Sequence, residues 1–157
     1  MSHRLTSGEC ARLGSLANSL DCNRVRIYRG NASGARKLLR GLVLGLSRGR
    51  AIALGNHIFL PDRQEQDLAV LAHEVTHCRQ FQEWGPWTYF SRGAAAQLRD
   101  LVYRTTRIGT SPYWYDAVPG RPFQAYGMEQ QGQIVEDCFR GHPVAQAISP
   151  FQPGHRA

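Results

Sequence analysis

The chain has 157 residues, 42% of them hydrophobic, with nineteen Lys and Arg against twelve Asp and Glu. That length reads as a single domain (1–157, core about 5–145), able to bury roughly 70% of its unfolded surface without a disulfide or structural metal. No run approaches the roughly 18 apolar residues of a membrane span, since the most hydrophobic, Leu38 to Leu46, is short and contains Arg40.

The opening residues, Met1 to Glu9, lack the apolar h-region of a secretory signal, so export would need other machinery. Between Asp21 and Asp62 there is no acid, while Arg24, Arg26, Arg29, Arg36, Lys37, Arg40, Arg48 and Arg50 give eight positive charges. Such a stretch suits an anionic partner or simply a solvated face. Nucleic acid is not expected, because no paired-Cys finger or RNP-like aromatic motif is present. Cys10, Cys22, Cys78 and Cys138 are not spaced as C-x-x-C, and their pairing stays open.

In chain order, Thr6 with Glu9 forms a capping-box pattern that opens a helix to about Ala17. Val25 to Arg29 alternates as a half-buried strand. Residues 30–34 read as turn and loop, and 35–46 as a short basic helix or an irregular apolar loop. Ala51 to Leu54 and His57 to Leu60 flank Gly55-Asn56, the pattern of a β-hairpin. Asp62 with Glu65 repeats the N-cap pattern for a helix with an apolar stripe of Leu68, Leu71, Ala72, Val75, Cys78 and Phe81. Gly85-Pro86 ends it. A further helix is expected over 91–104, a loop over 105–122, and a last helix from about Phe123 to Arg140, capped by Gly141 with Pro143 beyond. The tail after about Ser149 reads as mobile.

Within the middle helix lies His73-Glu74-Val75-Thr76-His77. Residues four apart share a helix face, so both imidazoles can reach one ion. Glu74 points beside that ion, where a general base for hydrolytic water belongs. The bland reading is a helix carrying two histidines by accident.

A catalytic zinc needs a third protein ligand and an open position. The long metzincin continuation is excluded, since Gln80 and Glu83 stand where its glycine and histidine would be. Glu129, Gln133 and Glu136 share one face of the last helix. Glu129 is the preferred ligand, with Glu136, Asp116 and His142 as alternatives.

The sequence resembles the Vgr-related H-E-x-x-H metallopeptidases of bacterial type VI secretion and, in its first half, the metallopeptidase domain of contractile injection systems. The resemblance rests on Leu5-Thr6, Val25-Arg26-Ile27, Ile58-Phe59-Leu60-Pro61, His73 to His77 with Gln80, and Tyr115-Asp116 followed by Phe123, Tyr126 and Glu129-Gln130-Gln131. It implies a gluzincin-like site, with Zn2+ held by His73, His77 and Glu129. Where such proteins often carry Glu four residues after the third ligand, this chain has Gln133, which offers an amide rather than a full charge to orient a histidine.

The expected fold is α+β and zincin-like, with a small hairpin or sheet beside the H-E-x-x-H helix and a C-terminal helix supplying the third ligand. The expected chemistry is peptide hydrolysis with Glu74 as base. Tyr126, three residues before Glu129, is a candidate oxyanion donor, with Tyr113 and Tyr115 as loop alternatives. Three function classes follow. One is a zinc endopeptidase made in the bacterial cytoplasm and injected as an antibacterial effector, with a carrier and an immunity protein as partners. The others are a non-catalytic zinc-stabilised adaptor or cargo domain, and a basic anion-binding module.

Overall fold

A computed structural model of the chain describes residues 2–30 and 34–154. The expected turn at 30–34 falls partly on residues 31–33, outside those described. The architecture is α+β and mostly helical.

Helix α1 (Ser7–Leu13) opens on the expected capping box: the Thr6 hydroxyl accepts from the Glu9 N–H at 3.1 Å, and the Glu9 carboxylate accepts from the Thr6 N–H at 2.8 Å. It stops earlier than the sequence implies. Gly14 turns to φ 57°, and a Cβ there would stand 2.5 Å from the carbonyl oxygen of Gln152. Only glycine admits that approach. The chain that approaches is the tail, so its expected mobility is corrected over the described residues: Phe151 and Ser149 are buried, and the Gly154 N–H donates to Arg12 at 3.0 Å.

Four short strands form one sheet in the order β1-β2-β4-β3, with β1 (Ser2–His3), β2 (Arg26–Tyr28), β3 (Ile52–Leu54) and β4 (His57–Phe59). Strands β3 and β4 are the predicted hairpin, whereas β2 and β4 run parallel with Ile27 opposite Ile58. Parallel neighbours need a crossover. Helix α2 (Ala35–Leu46) lies within it, which settles the helix-or-loop question for that stretch. Arg40 fastens α2 to the sheet end by donating to the Leu60 carbonyl and pairing with Asp62 at 2.5 Å.

Helix α3 (Leu68–Thr106) is the centre of the molecule. Asp67 caps it, accepting from Ala69 and Val70 N–H; Asp62 instead opens a separate 3-10 turn. Every residue from 69 to 78 is buried, because the sheet, the α1 region and α4 surround this stretch. Gly85 at φ 76° kinks α3 before Pro86. The second arm starts there directly, rather than after a loop to 91.

Helix α4 (Met128–Phe139) begins five residues later than expected, because Phe123–Ala125 is a 3-10 turn and Tyr126 is extended. Pro143, expected to lie beyond the last helix, starts a short α5 (Pro143–Ile148). Leu13, Leu16, Ile27, Ile58, Leu60, Val75, Ile134 and Val135 are fully buried in one core joining α1, the sheet, α3 and α4.

Candidate metal centre

Three acceptor atoms converge where α3 meets α4. His73, His77 and Glu129 are buried, and each offers one ligand atom within 4.8 Å of the others. Glu129 Oε2 lies 3.8 Å from His73 Nε2 and 3.4 Å from His77 Nε2. The histidines come from successive turns of one helix, as the spacing predicts. The carboxylate stands at the second position of α4, directly after Met128.

What aims the rings is the other nitrogen of each. His73 Nδ1 is 3.1 Å from Glu136 Oε2, and His77 Nδ1 is 2.8 Å from Gln80 Oε1. The Gln80 amide nitrogen donates to the Met128 carbonyl and to Gln131 Oε1, so its oxygen must be the atom that faces His77. Both partners of the Nδ1 atoms are acceptors, so both Nδ1 atoms carry hydrogen. Each neutral ring then leaves its Nε2 lone pair facing Glu129, as a metal ligand requires.

Glu136, an alternative ligand from the sequence, is instead the group that orients His73. The amide at position 133 does not do so: Gln133 bonds Asp137 at 2.9 Å. Gly132 was also unforeseen. A Cβ there would fall 2.8 Å from His73 Nε2, so a bare backbone lets α4 lie against that imidazole.

The electrostatics favour positive charge between these carboxylates. Burial opposes protonation of His73, yet Glu129 and Glu136 outweigh it and push the ring up to about 10. His77 is raised in the same way, chiefly by Glu129. Against the same burial, the two histidines hold Glu129 far below the ordinary carboxylate range, and His73 with Arg140 holds Glu136 at about 2. An ion bound here would compete with protons for the ring nitrogens that face Glu129. Glu74 is pushed up by burial, and its Oε2 is buried with no hydrogen-bond partner among the described residues. An orphaned carboxylate oxygen beside two imidazoles and a third acid fits a cation with an adjacent base.

A cleft of about 600 Å³ opens onto the cluster, walled by α2, β3, the second arm of α3 and Tyr113, with His73, Glu74, His77 and Glu129 in its lining. Tyr126 does not line it. That residue precedes α4 instead of lying on the Glu129 face, is buried in the core, and donates its hydroxyl to the Asp116 carbonyl at 3.1 Å. Tyr113, the loop alternative, stands beside His73 with ring centroids 6.4 Å apart. Burial and the Glu129 charge push its phenol up to about 12, so it stays a donor. Tyr115 is engaged with Asp137. Asp116 and His142 are exposed and outside the cluster. His57 is exposed at the start of inner strand β4, within 3.1 Å of the Tyr28 hydroxyl.

Residues 17–85 match the family model described as the eCIS core domain, which points to association with extracellular contractile injection systems. The matched segment holds both histidines and Glu74, ends at the α3 kink, and excludes Glu129. No curated protein and no solved structure matches the chain.

Proposed function

We propose that the chain is a zinc-dependent peptide hydrolase acting within a contractile injection system. His73, His77 and Glu129 would hold the ion in a zincin-like setting, with a sheet beside the zinc helix and a later helix supplying the third ligand. The observation that carries this reading is the convergence of both Nε2 atoms and Glu129 Oε2 at the floor of a cleft, with the unpartnered Oε2 of Glu74 beside them.

Two imidazoles and one carboxylate are a donor set used by catalytic zinc. When bound, the ion supplies Lewis acidity toward a carbonyl oxygen and lowers the pKa of water. Glu74 accepts the proton of the attacking water on its carboxylate and returns it to the leaving amine. Tyr113, protonated at neutral pH, donates toward the oxygen that gains charge. Glu136 and Gln80 keep the rings from turning. The cleft walls hold the peptide near these groups and exclude bulk water.

A second reading has its own support. The family match names an injection system and no reaction, which favours a zinc-stabilised adaptor or cargo domain in which Glu74 is dispensable. Glu74→Gln separates the two. Zinc content should remain unchanged, while hydrolysis of a casein-derived peptide mixture falls by roughly 100- to 10,000-fold. A Glu74→Gln protein that cleaves like the wild type would remove the hydrolase reading, and a zinc-loaded wild type that cleaves nothing would leave the cargo reading.

A further inference from the structure

One cation in the cleft wall lies against an aromatic ring rather than a carboxylate. Three cations of the acid-free stretch have local work. Arg29 pairs with Glu9, Arg40 with Asp62 and Glu65, and Arg26 donates to the carbonyls of Asn23 and Val25. Arg50 lines the cleft, and among the described residues no carboxylate lies within 4.0 Å of its guanidinium. Instead the guanidinium rests 4.7 Å from the centroid of the Tyr113 ring, the same ring that stands beside His73.

Other polar groups of the wall are already occupied. The Ser47 hydroxyl donates to backbone carbonyls, and the Tyr89 hydroxyl donates to the Ala53 carbonyl of edge strand β3 at 2.8 Å. That contact takes up an acceptor on the strand to which a peptide backbone would otherwise add. Selection of a ligand therefore falls to side-chain contacts: an apolar surface of Val43, Ile52, Leu54, Phe90 and Met128, and a single cation.

We propose that the cleft binds polypeptide through a carboxylate seated on Arg50, with a neighbouring apolar side chain against Val43, Ile52 and Met128. A guanidinium matches a carboxylate in a bidentate pair, and stacking on Tyr113 orders its fork before the ligand arrives. Arg50 and His73 both lie against the Tyr113 ring, 4.7 Å and 6.4 Å from its centroid, and an extended peptide advances about 3.3 Å per residue. The carboxylate thus sits roughly two to three residues from the cluster. It is an Asp or Glu side chain or the free C-terminus of the ligand. This assignment gives the substrate class of the hydrolase reading and rests on it for turnover, while the binding itself does not need catalysis.

The test uses the full chain carrying Glu74→Gln, supplemented with zinc, and fluorescein-labelled octapeptides of Ala with one Leu, read by fluorescence anisotropy. One set places Glu, Gln or Lys two or three residues to either side of Leu with an amidated C-terminus. A second set has no charged side chain and ends in a free acid or an amide. We expect the Glu form to bind about tenfold more tightly than the Gln form if the side chain is the source, or the free acid to exceed the amide by as much if the terminus is. Adding Arg50→Glu should abolish that preference and favour the Lys peptide, and Arg50→Lys should keep part of it. Equal binding of all forms, no binding at all, or a preference that survives Arg50→Glu would overturn the proposal. Incubating the same peptides with the wild-type chain separates the two claims: charge-selective binding without cleavage supports the Arg50 site and counts against hydrolysis.

Discussion

Gly132 sets how near α4 can come to the zinc-motif helix. Its hydrogen faces the imidazole of His73, where a methyl group would overlap Nε2 at 2.8 Å. Gly132→Ala should therefore force α4 and the ring apart, lowering stability by about 1–3 kcal/mol and weakening zinc binding. Gly93, also in a helix, meets nothing nearer than Met128 Cε at 4.0 Å, so Gly93→Ala should stabilise by about 0.5–1 kcal/mol. Thermal melts and zinc titrations of the two variants check the pair, and equal effects would refute this account of α4 packing. At this scale the sequence makes His73, Glu74 and His77 legible, since one helix period relates them. Glu136 was legible as a residue on the Glu129 face and as an alternative ligand, not as an orienting group. Its role at His73 Nδ1 depends on how α4 is tilted across α3, which spacing within one helix does not encode.

The first helix carries an acid-sensitive latch between elements. Burial alone would raise the Glu9 carboxyl, but bonds from the Thr6 N–H and hydroxyl, with the Arg29 guanidinium at 2.5 Å, hold it below its usual 4.5. A depressed folded pKa means stability that is present above the unfolded value and lost as pH falls through the folded one. Glu9→Gln should thus lower the urea midpoint at pH 7, and the gap from wild type should close as pH falls from about 5 toward 3. Parallel curves over that range would show that the latch contributes nothing. Elements whose signals are local, such as the Thr6 cap and the Gly55-Asn56 hairpin, could be read from the sequence. The end of α1 and the ordering of the tail could not, because both follow from a contact between Gly14 and Gln152, 138 positions apart. Tyr126 was misplaced for a related reason: its extended backbone and its bond to Asp116 take it off the helix face that periodicity assigned.

At the scale of the molecule, the site joins two parts of the chain that the family match treats differently. Both histidines lie inside residues 17–85 and Glu129 lies outside, so an ion held by all three would tie α4 to α3. Beyond the kink the chain exposes Trp87, Leu98, Leu101, Val102 and Ile108, and among the described residues no helix is long and apolar enough to cross a membrane. An ion that binds only the folded chain adds about 2.7 kcal/mol at a hundred times its Kd. The most direct test is calorimetric titration of the metal-stripped chain with zinc in buffers of different ionisation enthalpy. One ion per chain should bind with release of protons from the imidazoles, and His73→Ala, His77→Ala and Glu129→Ala should each abolish or greatly weaken binding. A wild-type chain that takes up no zinc, or variants that bind it as tightly as wild type, would contradict the metal centre.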